Sequence, residues 1–174
     1  MKIPTISFLA FVLLLPASAQ EKQKFVNKTA EITIEDLGKW TLVKGGDSVV
    51  EGKTLLKLSI PEENLHAQFQ FFEIKPAFDV LEPEISEQIK SGLNQGDMEV
   101  VASGPADFLG KKALRIYAIK PVAQEGKDDI VHVLSISTFF GNKFLALSIS
   151  DDDPDLSANA NIRHLFSQLT ILAK

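Results

Sequence analysis

The chain has 174 residues, a formal net charge of −5 at neutral pH and no cysteine. Disulfides, thiolate metal sites, cysteine nucleophiles and lipid attachment at a leader cysteine are therefore excluded. The acidic balance repels phosphate backbones and anionic headgroups, so we expect no nucleic-acid partner and no electrostatic docking on a membrane.

Residues 1–19 have the pattern of a secretory signal peptide. Lys2 gives a basic start, residues 8–15 form a short apolar run, and Ala17 and Ala19 are the small residues that a signal peptidase accepts. A membrane-spanning helix needs about 20 apolar residues, and this run is shorter. We therefore predict cleavage after Ala19, no stable membrane insertion of the mature chain, and a periplasmic or secreted location. The alternative is an uncleaved membrane anchor.

The rest of the chain is long enough to bury a core of its own and contains no internal repeat. Residues 20–30 are polar and are predicted to form a mobile leader. Residues 31–174 are then a single domain.

Short strands are predicted in the first part of that domain. The first covers residues 31–34, with residues 40–43 as its continuation. Residues 54–60 and 67–74 alternate apolar and polar side chains, which is the period of a strand. Pro61 separates these two strands.

The period changes to that of a helix over residues 79–93. Apolar residues recur there every four positions and form one stripe: Leu81, Ile85, Ile89 and Leu93. Pro83 fits a helix only in its first turn, so we expect the regular helix to begin near Pro83.

Four strands and a second helix complete the chain. The strands are predicted at residues 98–108, 111–120, 129–140 and 143–150. Gly141 and Asn142 between the last two predict a tight hairpin. The second helix is predicted to begin at Pro154, with Asp153 as its N-cap.

This order of elements predicts an α+β fold. Consecutive strands joined by short loops pair antiparallel, and each helix must bury its apolar stripe on the sheet. We expect a sheet of about six to seven strands. Val131, Val133, Leu134 and Ile136 make one strand apolar on both sides, so we expect a helix on each face.

Residues 110–117, 131–139, 141–148 and 166–169 resemble the PsbP-like family. This family includes extrinsic photosystem proteins, a nuclear-import factor that binds Ran, and bacterial DcrB-like envelope proteins. The resemblance covers most of residues 31–172 and lies in element order and hydrophobic spacing, without a catalytic motif. It implies an α-β-α sandwich whose members mostly act by binding other proteins. Because the partners differ, no binding residue carries over.

An acidic run before the second helix is a candidate metal site. Carboxylate oxygens are the ligands that Ca²⁺ prefers, and four aspartates could supply them: Asp151, Asp152, Asp153 and Asp155. The run lacks the glycine and the distant glutamate of an EF-hand loop, and helix capping is the competing interpretation. The three histidines lie far apart in the sequence and are not expected to share a zinc ion.

Tyr117, His132 and Asp151 are candidates for a catalytic row across three strands. A two-residue turn at 141–142 places Asp151 opposite His132, and a loop at 121–128 places Tyr117 opposite His132 as well. Such a row could transfer protons, or its histidine and aspartate could form a structural hydrogen bond. A register shift of one residue would remove it.

These features lead to two interpretations of function. The first is a non-enzymatic exported module that binds another envelope protein or component and needs no cofactor. The alternative is an envelope hydrolase or lyase that uses Tyr117, His132 and Asp151. The sequence contains no serine nucleophile elbow, HExxH, P-loop or GxGxxG motif. A deep pocket beside the row would favour the enzyme. An exposed apolar patch would favour the binding module.

The signal-peptide interpretation predicts the start of the exported chain. We expect Gln20 to be the first residue of the form released from the periplasm of an expressing bacterium, because Ala17 and Ala19 flank the predicted cut. Intact-mass measurement of that form checks this. A membrane-bound species that retains residues 1–19 would instead support the anchor.

Overall fold

The computed structural model describes residues 23–28, 31–44, 46, 49–50, 53–74, 78–124 and 127–172. The predicted signal peptide lies outside these residues. Within the described ranges, no helix is long and apolar enough to cross a membrane.

The described residues form an α+β fold with antiparallel strands, as predicted. The early strands are β1 Phe25–Asn27, β2 Ile32–Ile34, β3 Thr41–Leu42, β4 Val49–Val50, β5 Lys53–Ile60 and β6 Leu65–Glu73. The later strands are β7 Glu99–Phe108, β8 Lys111–Gln124, β9 Lys127–Phe140, β10 Lys143–Asp151 and β11 Leu169–Ile171. The helices are α1 Pro83–Asn94 and α2 Ala160–Gln168, and a 3₁₀ turn, Pro61–Glu63, joins β5 to β6.

The large sheet has the strand order β3-β5-β6-β10-β9-β8-β7, and β4 pairs with β5 beside β3. Strands β7 to β10 follow one another as hairpins, in agreement with the four consecutive strands predicted. Strand β10 pairs with β6 on its other side, so the β5–β6 hairpin lies next to the last strand of the sheet. The sheet is therefore assembled from two hairpin systems that are distant in sequence.

A second, three-stranded sheet was not predicted. Its order is β1-β2-β11, with β2 in the centre. The prediction of a mobile leader is wrong at Phe25–Asn27, which pairs with Ile32–Ile34. Residues 40–43 do not continue β2 either, because Thr41 and Leu42 pair with β5 in the large sheet. Strands of two or three residues carry too little periodicity to reveal such partners.

One face of the large sheet, the α2 face, carries the main core. Alternate residues of the central strands point to it and are buried: Leu56, Leu58, Phe69, Phe71, Leu134, Ile136, Leu145, Leu147 and Ile149. Ile162 and Leu165 of α2 and Ile32 and Ile34 of β2 pack against these side chains. The second helix and the small sheet together therefore cover this face.

The opposite face, the α1 face, is covered only in part. Helix α1 begins at Pro83, as predicted, but none of its residues is fully buried. Leu81, Ile89 and Leu93 of the predicted stripe pack on a small cluster centred on Leu114 and Ile116. This cluster lies toward the β7–β8 side of the sheet, so the helix leaves the middle of this face open.

Helix α2 begins later than predicted. Asn159 is its N-cap, and the Oδ1 atom of Asn159 accepts hydrogen bonds from the backbone nitrogens of Asn161 (2.9 Å) and Ile162 (3.3 Å). Asp153 is not the cap: its Oδ1 accepts from the backbone nitrogen of Asp155 within a turn. Asn caps a helix as well as Asp does. The Asp-Pro pattern alone therefore did not identify the position at which the helix begins.

Three distant segments are joined by Glu63. Its two carboxylate oxygens accept from Lys39 Nζ (2.6 Å) and from Asn161 Nδ2 (2.5 Å). Next to these groups, the Nε1 atom of the buried Trp40 donates to the carbonyl oxygen of Asn161 at 3.0 Å. The hydrogen bond from Lys39 holds the pKa of the Glu63 carboxyl below its ordinary value.

This contact predicts a pH dependence of stability. A carboxyl whose pKa is lowered in the folded state stabilises that state above its ordinary pKa, and the contribution is lost as the pH falls through the folded value. We expect Glu63→Gln to flatten the loss of stability in the acid range below about 4.5. Urea unfolding at several pH values, followed by fluorescence of Trp40, measures this. The exposed Glu99→Gln is the matched control, and equal flattening in both variants would contradict the assignment.

Candidate functional site

The predicted row of three residues forms only in part. Asp151 pairs with His132 in the register of β10 and β9, as predicted. Tyr117, however, lies opposite Leu134, and His132 lies opposite Ile119. The prediction for Tyr117 is wrong because β8 and β9 continue through most of the segment that was predicted to be a loop.

Pro121 explains why that segment was misinterpreted. The sequence predicts that the strand ends before Pro121, yet Pro121 stays in register opposite Ile130. The neighbouring strand β7 begins at Glu99, opposite Ile119, so among the described residues β8 is paired on one side only at Pro121. A proline lacks the backbone N–H and is tolerated where no neighbour needs that donor.

The side chain of Asp151 is hydrogen-bonded to the loop that follows β10. This side chain is buried, and its oxygens accept from the backbone nitrogen of Asp153 (3.2 Å) and from Asn159 Nδ2 (3.3 Å). No hydrogen bond or ion pair within the described residues joins Asp151 to His132. Asp151 therefore positions the turns that lead into α2, and the proposed His–Asp hydrogen bond is not formed.

The other three aspartates of the acidic run also accept hydrogen bonds, two of them within the same turns and one from the β5–β6 connection. Asp153 accepts from the backbone nitrogen of Asp155, and Asp155 accepts from Ser157 and Ala158. Asp152 accepts from Asn64 Nδ2 at 2.7 Å. In the part of the chain that the structure describes, no three His, Asp or Glu side chains are placed to hold a metal ion. The helix-capping interpretation is wrong as well, because Asp153 and Asp155 accept hydrogen bonds within turns and Asn159 caps α2.

The three histidines point in different directions. His66 lies on β6 and is exposed on the α1 face, whereas His132 belongs to the α2 face. On α2, His164 contacts Asp36, with its Nε2 atom 3.2 Å from the backbone carbonyl oxygen of that residue. His132 also lines a cavity of about 480 Å³ with Asp129 and Asp152, but Tyr117 and Asp151 do not line it.

The sequence pattern did not predict a groove on the α1 face. Two adjoining cavities of about 620 and 360 Å³ form it, and Gln68 and Ser148 line both. We call this feature the α1 groove. It follows β10 across the part of the sheet that α1 leaves open.

Small and polar side chains produce this hollow. Ser135 and Ser137 of β9 and Ala146 and Ser148 of β10 alternate with large apolar residues that point to the α2 face. In the neighbouring strand, Gln68 and Gln70 occupy the same face. This in-phase pattern is visible in the sequence, but its meaning depends on the pairing of β6 with β10, which local periodicity does not reveal.

One wall of the α1 groove is helix α1. Gln88, Ile89, Gly92 and Leu93 line it there. A Cβ atom added at Gly92 would meet no atom within 4 Å. Glycine in a helix interior costs about 1 kcal/mol relative to alanine. No close packing requires this glycine, and the missing side chain keeps the groove open.

The charge of the groove is opposite to that of the chain. Lys57, Lys120 and His66 line the larger cavity, and none of the described lining residues is acidic. Lys57 and Lys120 are half-buried, and among the described residues neither forms an ion pair. Among the described residues, the groove therefore presents positive charge without an acidic partner, in a protein whose net charge is negative.

The fold is similar to that of several solved structures. The solution structure of cyanobacterial PsbP from Synechocystis has 14% sequence identity and a TM-score of 0.59, and the match covers 86% of this chain and 91% of that one. A point mutant of the protein Mog1 has 10% identity and a TM-score of 0.53, with 88% and 97% covered. A protein from Bacteroides thetaiotaomicron has 14% identity and a TM-score of 0.50, with 86% and 48% covered.

These comparisons define the fold class. The chain has a PsbP-like fold, which confirms the resemblance inferred from its order of elements. No protein-family model matches the chain, and no curated protein matches it by sequence. At 10–14% identity the likeness concerns the fold alone.

The contacts of Asp151 predict a structural role. We expect Asp151→Ala to lower the free energy of unfolding by about 1–3 kcal/mol, because two donors lose a buried acceptor. Asp153→Ala removes one exposed acceptor from the same loop and should cost less. Urea unfolding of both variants gives the comparison, and a smaller effect at Asp151 than at Asp153 would refute this role.

Proposed function

We propose that this chain is an exported, non-enzymatic binding module of the bacterial periplasm or envelope, and that its partner is another envelope protein. The N-terminal pattern of Lys2, the apolar run and Ala17-Ser18-Ala19 supports export. The α1 groove is the observation that carries the binding function.

The shape and lining of the groove favour binding. Its larger cavity, of about 620 Å³, lies within the usual range of ligand sites. Side-chain hydroxyls and amides line it, and these groups can both donate and accept hydrogen bonds. The groove thus offers many hydrogen bonds to a partner without a closed chamber around a reacting bond.

The contacts within the groove do not favour catalysis. A nucleophilic serine is activated by a base within hydrogen-bond reach. Among the described residues, none of the groove serines is hydrogen-bonded to His66, Lys57 or Lys120; His66 instead contacts Asn64 Oδ1 at 3.4 Å. The alternative of an enzyme also lacks its predicted catalytic row, since Tyr117 lies opposite Leu134 and not opposite His132.

The incomplete layer over the sheet belongs to the same proposal. We infer an α-β-α sandwich in which α2 and the small sheet complete one layer and α1 covers only part of the other. A partner segment in the groove would complete that second layer. Binding would then bury sheet surface that the chain leaves open by itself.

Site-specific cross-linking in the exported full-length chain tests this function. A photoreactive benzoylphenylalanine at Gln88, which is exposed on the wall of the groove, should give a discrete protease-sensitive adduct in the envelope. The same group at Lys111, at the exposed turn between β7 and β8, is the control and should give none. Absence of an adduct at Gln88, or the same adduct from both positions, would contradict the proposed function.

A further inference from the structure

The α1 groove has a direction. Phe144, Ala146, Ser148 and Ser150 of β10 all line it, the first at the end with the smaller cavity and the last at the end with the larger one. A strand rises about 3.3 Å per residue, so this path is about 20 Å long. Five to six residues of extended polypeptide have the same length.

The lining changes along that path. Phe72, Phe144, Ile89 and Leu93 make the end near α1 apolar. Serine and glutamine side chains line the middle. Lys57 and Lys120 make the other end basic, and His66 lines the same end. The groove is therefore apolar at one end, carries serine and glutamine side chains in the middle, and combines two lysines with apolar residues such as Val131 and Val133 at the other.

We propose that the α1 groove binds an extended acidic peptide segment of the partner, with an apolar side chain beside Phe144 and a carboxylate beside Lys57 and Lys120. This inference rests on the proposed function and names the chemistry of the partner. The peptide is recognised by side chains, because β10 is already paired on both sides and its backbone is not free to add a strand.

The middle of the groove favours a peptide over an acyl chain. Gln68, Gln70 and Ser148 lie there and are half-buried, so their polar groups reach the groove, whereas Ser135 and Ser137 are buried. An acyl chain would cover these polar groups without hydrogen bonds, and burying an unpaired polar group costs roughly 1–3 kcal/mol. Peptide N–H and C=O groups supply both donors and acceptors to such side chains.

The basic end selects for negative charge. A carboxylate placed there would pair with Lys57 or Lys120, neither of which has an acidic partner among the described residues. The net charge of −5 repels an acidic segment elsewhere on the surface. Complementary charge of this kind sets both the register and the association rate of a bound segment.

Gly92 supplies a second, independent probe of the groove. Gly92 lines the smaller cavity and a Cβ atom there meets no atom within 4 Å, so we expect Gly92→Leu to place a bulky side chain at this cavity. Leucine is also the better helix former, so the helix gains stability. The substitution should block the groove without unfolding the protein.

The test uses fluorescein-labelled hexapeptides with the full mature chain. The acidic peptide carries phenylalanine at one end and two glutamates at the other, and a control peptide has glutamines in place of the glutamates. Each peptide is made in both sequence directions. Fluorescence anisotropy should show saturable binding of at least one acidic peptide, and at least about tenfold weaker binding of its glutamine version.

Charge-reversed variants supply the matched control. The double variant Lys57→Glu/Lys120→Glu should weaken binding of the acidic peptide by about tenfold or more. The double variant Lys111→Glu/Lys112→Glu changes the net charge by the same amount outside the groove, and it should change the affinity for the peptide by less than about twofold. Gly92→Leu should weaken binding with no fall in Tm. Equal weakening by both lysine pairs, or unchanged binding in Gly92→Leu, would overturn the inference.

The two proposals fail in different ways. If the Gln88 adduct forms in the envelope while every acidic peptide fails to bind, the binding module stands and the acidic segment is wrong. The same conclusion follows if sodium octanoate binds in the groove and the peptides do not. If no adduct forms at Gln88, the proposed function itself fails.

Discussion

Strand β10 lies between β6 and β9 at the centre of the large sheet, and the rest of the structure depends on its alternation of side chains. Leu145, Leu147 and Ile149 point to the α2 face and are 0% exposed. A one-residue shift in register would turn all three toward the other face. Burial of each such side chain contributes about 1.5–3 kcal/mol, so the register is strongly determined.

The same alternation produces the site. Because every second residue of β10 faces α2, the residues between them must face α1, and these are small or polar: Ala146, Ser148 and Ser150. Neighbouring strands repeat this asymmetry with Ser135 and Ser137 on one side and Gln68 and Gln70 on the other. One face of the sheet thus holds a core, and the opposite face holds the α1 groove.

Helix α1 limits the size of that hollow. It packs through partly buried residues on the cluster around Leu114 and Ile116 and does not extend over the centre of the sheet. A longer or more apolar helix would fill the space, and a side chain at position 92 would narrow it. The weakly packed helix and its interior glycine are local departures from maximal stability.

Much of the fold could be predicted from the sequence, because the period of hydrophobic residues reports on secondary structure directly. Strands β5 to β10, helix α1, the hairpin at Gly141 and the Asp151–His132 register all follow from local pattern and turn length. What only the tertiary structure decided depends on pairing between distant segments. Examples are the β1-β2-β11 sheet, the continuation of β8 through Pro121, and the placement of β6 beside β10 that creates the α1 groove. Periodicity shows which residues share a face of their own strand, whereas the neighbour of that strand is chosen by the packing of the whole chain.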